Sequence, residues 1–355
     1  MSDLPIIVLL HGMGSHEPGE ITKSFVEAID RTLNQIHGFK TKSIGRLTEI
    51  VEINYSDFLD EMREKMADNA KQIGERLSGI SLLQGHSLGE LSSKLNGFEQ
   101  EFGSDDFFYT HWLDVVFYTT MLGAKIRVDI AKKLTTLVRD HMPDREIHLV
   151  AHSLGTAAIH DTLSQLYRGD FVANDDIPDL DPETHKLQSV WTIANVADLV
   201  NRVTNISDPY NSVVNPGDTG CALYLANVRH RFDPFTRPCR FDPQNDGNWI
   251  DSDDYEAGYQ MIEIDAVTQY NTHDFGHYLS NPKVALPLLR IVLRIFPTPS
   301  ERDVIFEKFR TTHLRGAASE LKDAFEGIEV SDTGSLRTFL QVSKNFYGVV
   351  HGLEG

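Results

Sequence analysis

The chain has 355 residues, of which 41% are apolar and 24% charged, enough for one large domain with a substantial core. A formal net charge of −19 at pH 7 argues against a nucleic-acid partner, whose phosphates call for basic stripes, and against charge-driven docking on anionic membranes. The two cysteines, Cys221 and Cys239, form no CxxC pair or Cys/His cluster of zinc spacing, so free thiols in a reducing compartment are expected.

The first apolar run, Pro5-Ile-Ile-Val-Leu-Leu10, is continuous and β-branched and leads straight into His11-Gly-Met-Gly14. That pattern predicts a buried central strand ending in a tight turn. The run is too short for a signal-peptide core and no basic residue precedes it, and no window approaches the ~18 apolar residues of a membrane helix. A cytoplasmic protein without a transmembrane segment is expected.

Apolar spacing predicts a helix over 21–36 and a strand over 47–55. Residues 57–112 are rich in Glu, Lys, Gln, Ser and Gly and close on the aromatics Phe102, Phe107, Phe108, Tyr109 and Trp112. They read as a helical insertion that could serve as a lid. A long helix is expected over 115–139, a strand over 147–151, a turn at His152-Ser-Leu-Gly155 and a helix over 156–167. Further strands are expected over 188–194, 222–228 and 259–267, with Cys221 entering the second of these. Ser280 or Asn281 should cap a helix with Pro282 in its first turn, running to about residue 295. The tail from Pro297 has a polar helical pattern. Strands alternating with helices imply an α/β fold, a mostly parallel central sheet with helices on both faces. The expected catalytic body spans 1–296, with 297–355 a helical extension packed on the same domain.

The strongest chemical signal is Ala151-His-Ser153-Leu-Gly155, set between a predicted strand and a predicted helix. A serine on such a turn is pushed out of the sheet with strained backbone, and small neighbours let helix and strand pass close beside it. Ser153 is therefore the expected nucleophile. Gly85-His-Ser87-Leu-Gly89 matches the G-x-S-x-G pattern better letter for letter, but only the broken run Ile80-Ser-Leu-Leu-Gln84 precedes it. Ser87 reads as a turn or cap residue.

The backbone N–H groups of Met13, in the first turn, and of Leu154, at the helix start, are the expected oxyanion donors. A carboxylate should follow the nucleophile at the end of a later strand. Asp233, in Phe232-Asp-Pro-Phe235, is the first choice, with Asp198 and Asp242 as competitors. The base should come last, in Tyr270-Asn-Thr-His273-Asp-Phe-Gly-His277-Tyr278. His273 lies nearer the strand end, and His277 is the alternative. His11, His86 and His152 belong to their own turns. Residues 242–253 partly echo a calcium loop, but Gln244 stands at the third position, so an acidic solvated loop is expected.

In this order of elements and residues the chain resembles the lipase and esterase side of the α/β-hydrolase family. The resemblance rests on His11-Gly-Met-Gly14, Ala151-His-Ser-Leu-Gly155, Asp233 and the 273–277 histidines, and covers about residues 5 to 295. Ala151 stands where the motif usually has its first glycine, and residues 57–112 and the tail after 297 fall outside it. The resemblance implies hydrolysis of a small or lipid-like acyl ester, or a thioester, with no metal and no organic cofactor. An acyltransferase, or a binding protein on the same scaffold, is the alternative.

Overall fold

The computed structural model describes residues 4–12, 17–55, 118, 122–171, 177–204, 208–233, 235–236, 240–243 and 258–326. The unbroken apolar run near the N-terminus forms β1 (Ile6–Leu10), every residue of which is buried. Burial on both sides of a strand requires a layer on each face, and the alternating side chains divide accordingly. Ile6, Val8 and Leu10 enter one hydrophobic cluster, whereas Ile7 and Leu9 enter a second.

β1 is followed by α1 (Glu20–Leu33), the short α2 (Ile44–Leu47) and β2 (Glu49–Ile53). After α3 (Gly123–His141) come β3 (Ile147–His152), α4 (Leu154–Arg168), β4 (Ser189–Ile193), α5 (Ala197–Thr204), β5 (Leu225–His230) and β6 (Tyr259–Ile264). Four helices close the described chain: α6 (Phe275–Ser280), α7 (Pro282–Leu293), α8 (Pro299–Arg310) and α9 (Ala317–Glu326).

The strands form one six-stranded sheet in the order β2-β1-β3-β4-β5-β6, and every pairing is parallel. The protein is thus of the α/β class. The first cluster joins one sheet face to α3 and α4, through Ile126, Ile130 and Leu134 of α3 and Ala158 and Leu163 of α4. The second joins the other face to α1, α6 and α7, through Phe25 and Ile29, Phe275 and Tyr278, and Leu288 and Leu289. Chain order reverses between β1 and β3, because β2 is added on one side of β1 and all later strands on the other. In a parallel sheet such a reversal opens a crevice at the carboxyl ends of the two strands.

Several expected boundaries shift. Of the helix expected over 115–139, the described part of α3 begins at Gly123 and runs to His141. β5 starts at Leu225 rather than Ala222, because Ala222 makes only an isolated bridge to Leu187 and Leu223 turns out to solvent, 51% exposed. Cys221 is accordingly buried ahead of the strand rather than within it, and it is a free thiol. β6 ends at Ile264, three residues early. Asn281, not Ser280, caps α7, its side chain accepting the Lys283 N–H at 3.0 Å, while Ser280 ends α6. In the tail, α8 opens with a capping box between Thr298 and Glu301 and buries only Ile305. The insertion at 57–112 with its aromatic cluster, Cys239, most of the 242–253 loop and the tail beyond Glu326 lie outside the described residues.

Candidate active site

Ser153 sits between β3 and α4 with φ 52° and ψ −125°. A side chain other than glycine in that region costs about 1–3 kcal/mol and persists only where the surroundings over-determine it. Here the surroundings do so. The Ser153 N–H donates to the Ile193 carbonyl at the end of β4 (3.0 Å), and the Ser153 carbonyl accepts from the Thr156 N–H (2.9 Å) and hydroxyl (2.6 Å). The same Thr156 oxygen accepts the Val196 N–H at 3.1 Å, tying the elbow to the loop after β4.

The turn after β1 packs against this elbow. A Cβ added at Gly12 would stand 2.6 Å from the Ser153 Cβ. His11 is stacked on Tyr55 with ring centroids 4.0 Å apart, and its Nε2 accepts the Tyr55 N–H at 3.0 Å. That leaves Nδ1 to donate to the Gly12 carbonyl, at 2.7 Å. Met13, the expected first oxyanion donor, lies outside the described residues. Leu154, the expected second, opens α4, so its N–H is one of the donors that have no intrahelical acceptor.

Three elements bring the polar groups together at the carboxyl ends of β3, β5 and β6. His273 Nε2 lies 2.8 Å from Ser153 Oγ, and His273 Nδ1 lies 2.8 Å from Asp233 Oδ2. All three side chains are buried. An ionised carboxylate only accepts, so Nδ1 carries the proton and Nε2 is left to accept from the serine hydroxyl. The arrangement can therefore draw the proton from Ser153 Oγ. Burial alone would push the Asp233 carboxyl up. The charge on a protonated His273, with hydrogen bonds from His273, Tyr278 and the Phe235 N–H, pulls harder the other way and holds it below its ordinary value.

The loops holding Asp233 and His273 are stitched to each other. The Thr272 hydroxyl donates to the Phe232 carbonyl at 2.8 Å, and the His273 N–H donates to Asn271 Oδ1 at 3.2 Å. His152, the residue before Ser153, donates from Nε2 to the His273 carbonyl at 2.9 Å. The Phe235 ring lies against the His273 ring, 4.4 Å between centroids.

The competing residues are placed elsewhere. His277 Nδ1 lies 2.9 Å from Thr268 Oγ1, and burial together with the neighbouring His230 pushes its ring down to about 3. Asp242 pairs with Arg229 at 3.4 Å. Asp198 is buried in the first turn of α5. Ser87 lies outside the described residues. Sequence reasoning singled out neither Tyr278, which donates to Asp233 at 2.6 Å, nor the tie from His152 to His273. One signal was available. Asp274 caps α6 by accepting the His277 N–H at 2.7 Å, and an Asp at that place marks a helix start that turns Tyr278 back toward β5.

Among the described residues no group of three or more His, Cys, Asp and Glu side chains is placed to hold a metal ion, and no helix is long and apolar enough to cross a membrane. No protein-family model matches the chain, and no curated protein matches it.

Proposed function

We propose that this chain is a serine hydrolase of the α/β-hydrolase superfamily that cleaves carboxylic esters through Ser153, His273 and Asp233. The observation that carries the reading is the unbroken row Ser153 Oγ, His273 Nε2, His273 Nδ1, Asp233 Oδ2, with 2.8 Å at each of its two hydrogen bonds. The positive φ of Ser153, at the point where strand order reverses, supports it independently.

In the proposed reaction His273 Nε2 takes the Ser153 proton as Oγ attacks the acyl carbon. Asp233 keeps the imidazole in the required tautomer and balances the imidazolium. The Leu154 N–H, with a donor from the turn after Gly12, receives the oxyanion, a contribution of about 3–4 kcal/mol per donor. The protonated His273 then gives its proton to the leaving alkoxide. Water, activated by the same ring, hydrolyses the acyl-enzyme. The substrate is an acyl ester of a small molecule or lipid-like alcohol, met in the cytoplasm.

The test is hydrolysis of p-nitrophenyl esters from acetate to palmitate by wild type, Ser153→Ala and Ser87→Ala. Activity lost in Ser153→Ala alone supports the reading. Activity lost in Ser87→Ala alone assigns the nucleophile to the other motif. A wild type inert on every ester, and unreactive toward a fluorophosphonate, refutes it.

A further inference from the structure

Tyr278 lies on α6, whose main packing partner is α1, and its side chain is fully buried. Its hydroxyl is 2.6 Å from Asp233 Oδ2, the oxygen that also receives His273 Nδ1. The same hydroxyl oxygen accepts the backbone N–H of His230, the last residue of β5, at 3.0 Å. The second oxygen of Asp233, Oδ1, accepts the Phe235 N–H at 2.8 Å. A row of four hydrogen bonds thus runs from the His230 N–H through the Tyr278 hydroxyl and Asp233 to His273 and on to Ser153. The direction of each bond is fixed. A backbone N–H can only donate, so the phenol accepts there and must donate to the carboxylate.

We propose that Tyr278 is a positioning residue for the hydrolase, setting through Asp233 the orientation and the base strength of His273. This deepens the hydrolase reading and rests on it. Two hydrogen bonds on one carboxylate oxygen share its charge. Each donor weakens the pull that the oxygen exerts on the other. With the phenol in place Asp233 is a weaker acceptor toward His273, and the imidazole yields its proton more readily to the leaving group. The phenol also fixes the carboxylate rotamer, since Oδ2 is held from two directions and Oδ1 from a third. Burial, with the adjacent Asp233 charge, raises the Tyr278 hydroxyl well above its ordinary value, so the phenol keeps its proton at any pH at which the protein works.

The neighbouring groups do not supply an alternative titration. The ring of His230 packs beside Tyr278 at 6.0 Å, accepts the Phe232 N–H on Nδ1 and lies 3.2 Å from the Ala266 carbonyl on Nε2. Burial lowers it despite the nearby Asp233, Asp265 and Glu263. Burial and His230 lower His277 as well. Burial thus favours the neutral form of both rings.

The experiment uses the full chain as wild type, as Tyr278→Phe, and with Tyr278 replaced by 3-fluorotyrosine, which donates more strongly. Two readouts are taken: the NMR resonance of the proton on His273 Nδ1, and the pH dependence of Ser153 labelling by a fluorophosphonate. In Tyr278→Phe the Nδ1 proton should move downfield and the acid limb of labelling should move to higher pH, so that the rate on that limb falls about tenfold, the worth of one hydrogen bond to a charged group. The fluorotyrosine should move both in the opposite sense. A residue that only fills space would lower the labelled fraction equally at every pH, leaving resonance and limb in place, and that result overturns the proposal. If Tyr278→Phe does not fold, the fluorotyrosine protein gives the same decision. A wild type that resists labelling sinks the hydrolase reading, and the Nδ1 resonance still decides whether Tyr278 acts on His273.

Discussion

Gly155 lies directly beneath the carbonyl of His11: a Cβ on Gly155 would stand 2.4 Å from that oxygen and 3.2 Å from the carbonyl of Leu10. Both obstacles are backbone, so no side chain can swing away. Gly155→Ala must therefore push α4 away from the end of β1 and tilt the elbow that presents Ser153. We expect a loss of about 1–3 kcal/mol, the usual cost of overpacking, and an esterase activity that falls further than the folded fraction does. Thermal denaturation and ester hydrolysis on the same preparation check this. Unchanged values for both would show that the close approach is not required.

Replacing Asp233 by asparagine keeps the shape of the site and reverses its hydrogen-bond logic. An amide nitrogen facing His273 Nδ1 favours the tautomer that carries its proton on Nε2, where Ser153 then finds no acceptor. Asp233→Asn should lower kcat by about 10⁴-fold while KM changes little. Asp242→Asn, which weakens the 3.4 Å pairing with Arg229 and lies outside the row from Ser153 to Asp233, should leave kcat within a factor of about two. Steady-state kinetics on one short ester distinguishes the two, and equal losses would return Asp242 to candidacy.

Thr156 is the hinge between the elbow and the loop after β4. Its hydroxyl donates to the Ser153 carbonyl and accepts the Val196 N–H, and it is fully buried. Thr156→Val preserves the shape and strands the Val196 N–H, whereas the Ser153 carbonyl keeps the N–H of residue 156; the expected cost is about 1–3 kcal/mol. Urea denaturation should report a lower midpoint with an unchanged slope. Thr156→Ser, which keeps the hydroxyl, should recover most of the difference.

Acid should destabilise the fold through histidines buried in neutral form. Burial pushes His160 down to about 4, and burial with the nearby Arg294 charge pushes His148 down to about 3. His277 is lowered to about 3 by burial and His230. In the unfolded chain these rings take up protons below about pH 6.5. Between that value and pH 3–4 the unfolded state binds more protons, so stability falls as pH falls, by about 1.4 kcal/mol per pH unit for each ring. Asp233, held below its ordinary value, adds to the loss once pH drops through its folded value. Tm measured from pH 7.5 to 4 should fall steadily below about pH 6.5, and more shallowly in His160→Phe. A flat Tm over that range would contradict the burial of these rings.

Much of this was written locally. β1 is a run of apolar, largely β-branched residues and β3 a mostly apolar one, both of which can be satisfied only between two layers, and the structure places both in the interior of the sheet. The Ser153 turn was legible because its small neighbours and the strand before it are constraints of covalent geometry, readable within nine residues. The choice of that turn over the better-matching Gly85–Gly89 pattern came from context alone, and Ser87 itself lies outside the described residues. α6 escaped notice because six residues are too few to display a helical period.

The sequence by itself determined the alternation of strands and helices, and the chain order of a serine, a carboxylate and a histidine in turns that follow strands. Those are local properties, set by side-chain periodicity and backbone freedom. Only the tertiary structure decided which carboxylate and which histidine meet. Asp233 and His273 lie 40 residues apart, and His273 and Ser153 lie 120 apart. His273 and His277 differ by one turn of chain, yet one faces Ser153 and the other faces Thr268. That choice depends on the cap at Asp274, on Thr272 binding the Phe232 carbonyl and on His152 binding the His273 carbonyl, contacts between segments that no local pattern relates. Packing at the carboxyl edge of the sheet selects among residues that sequence presents as near equals, because hydrogen bonds to buried groups are satisfied in one arrangement and left open in the other.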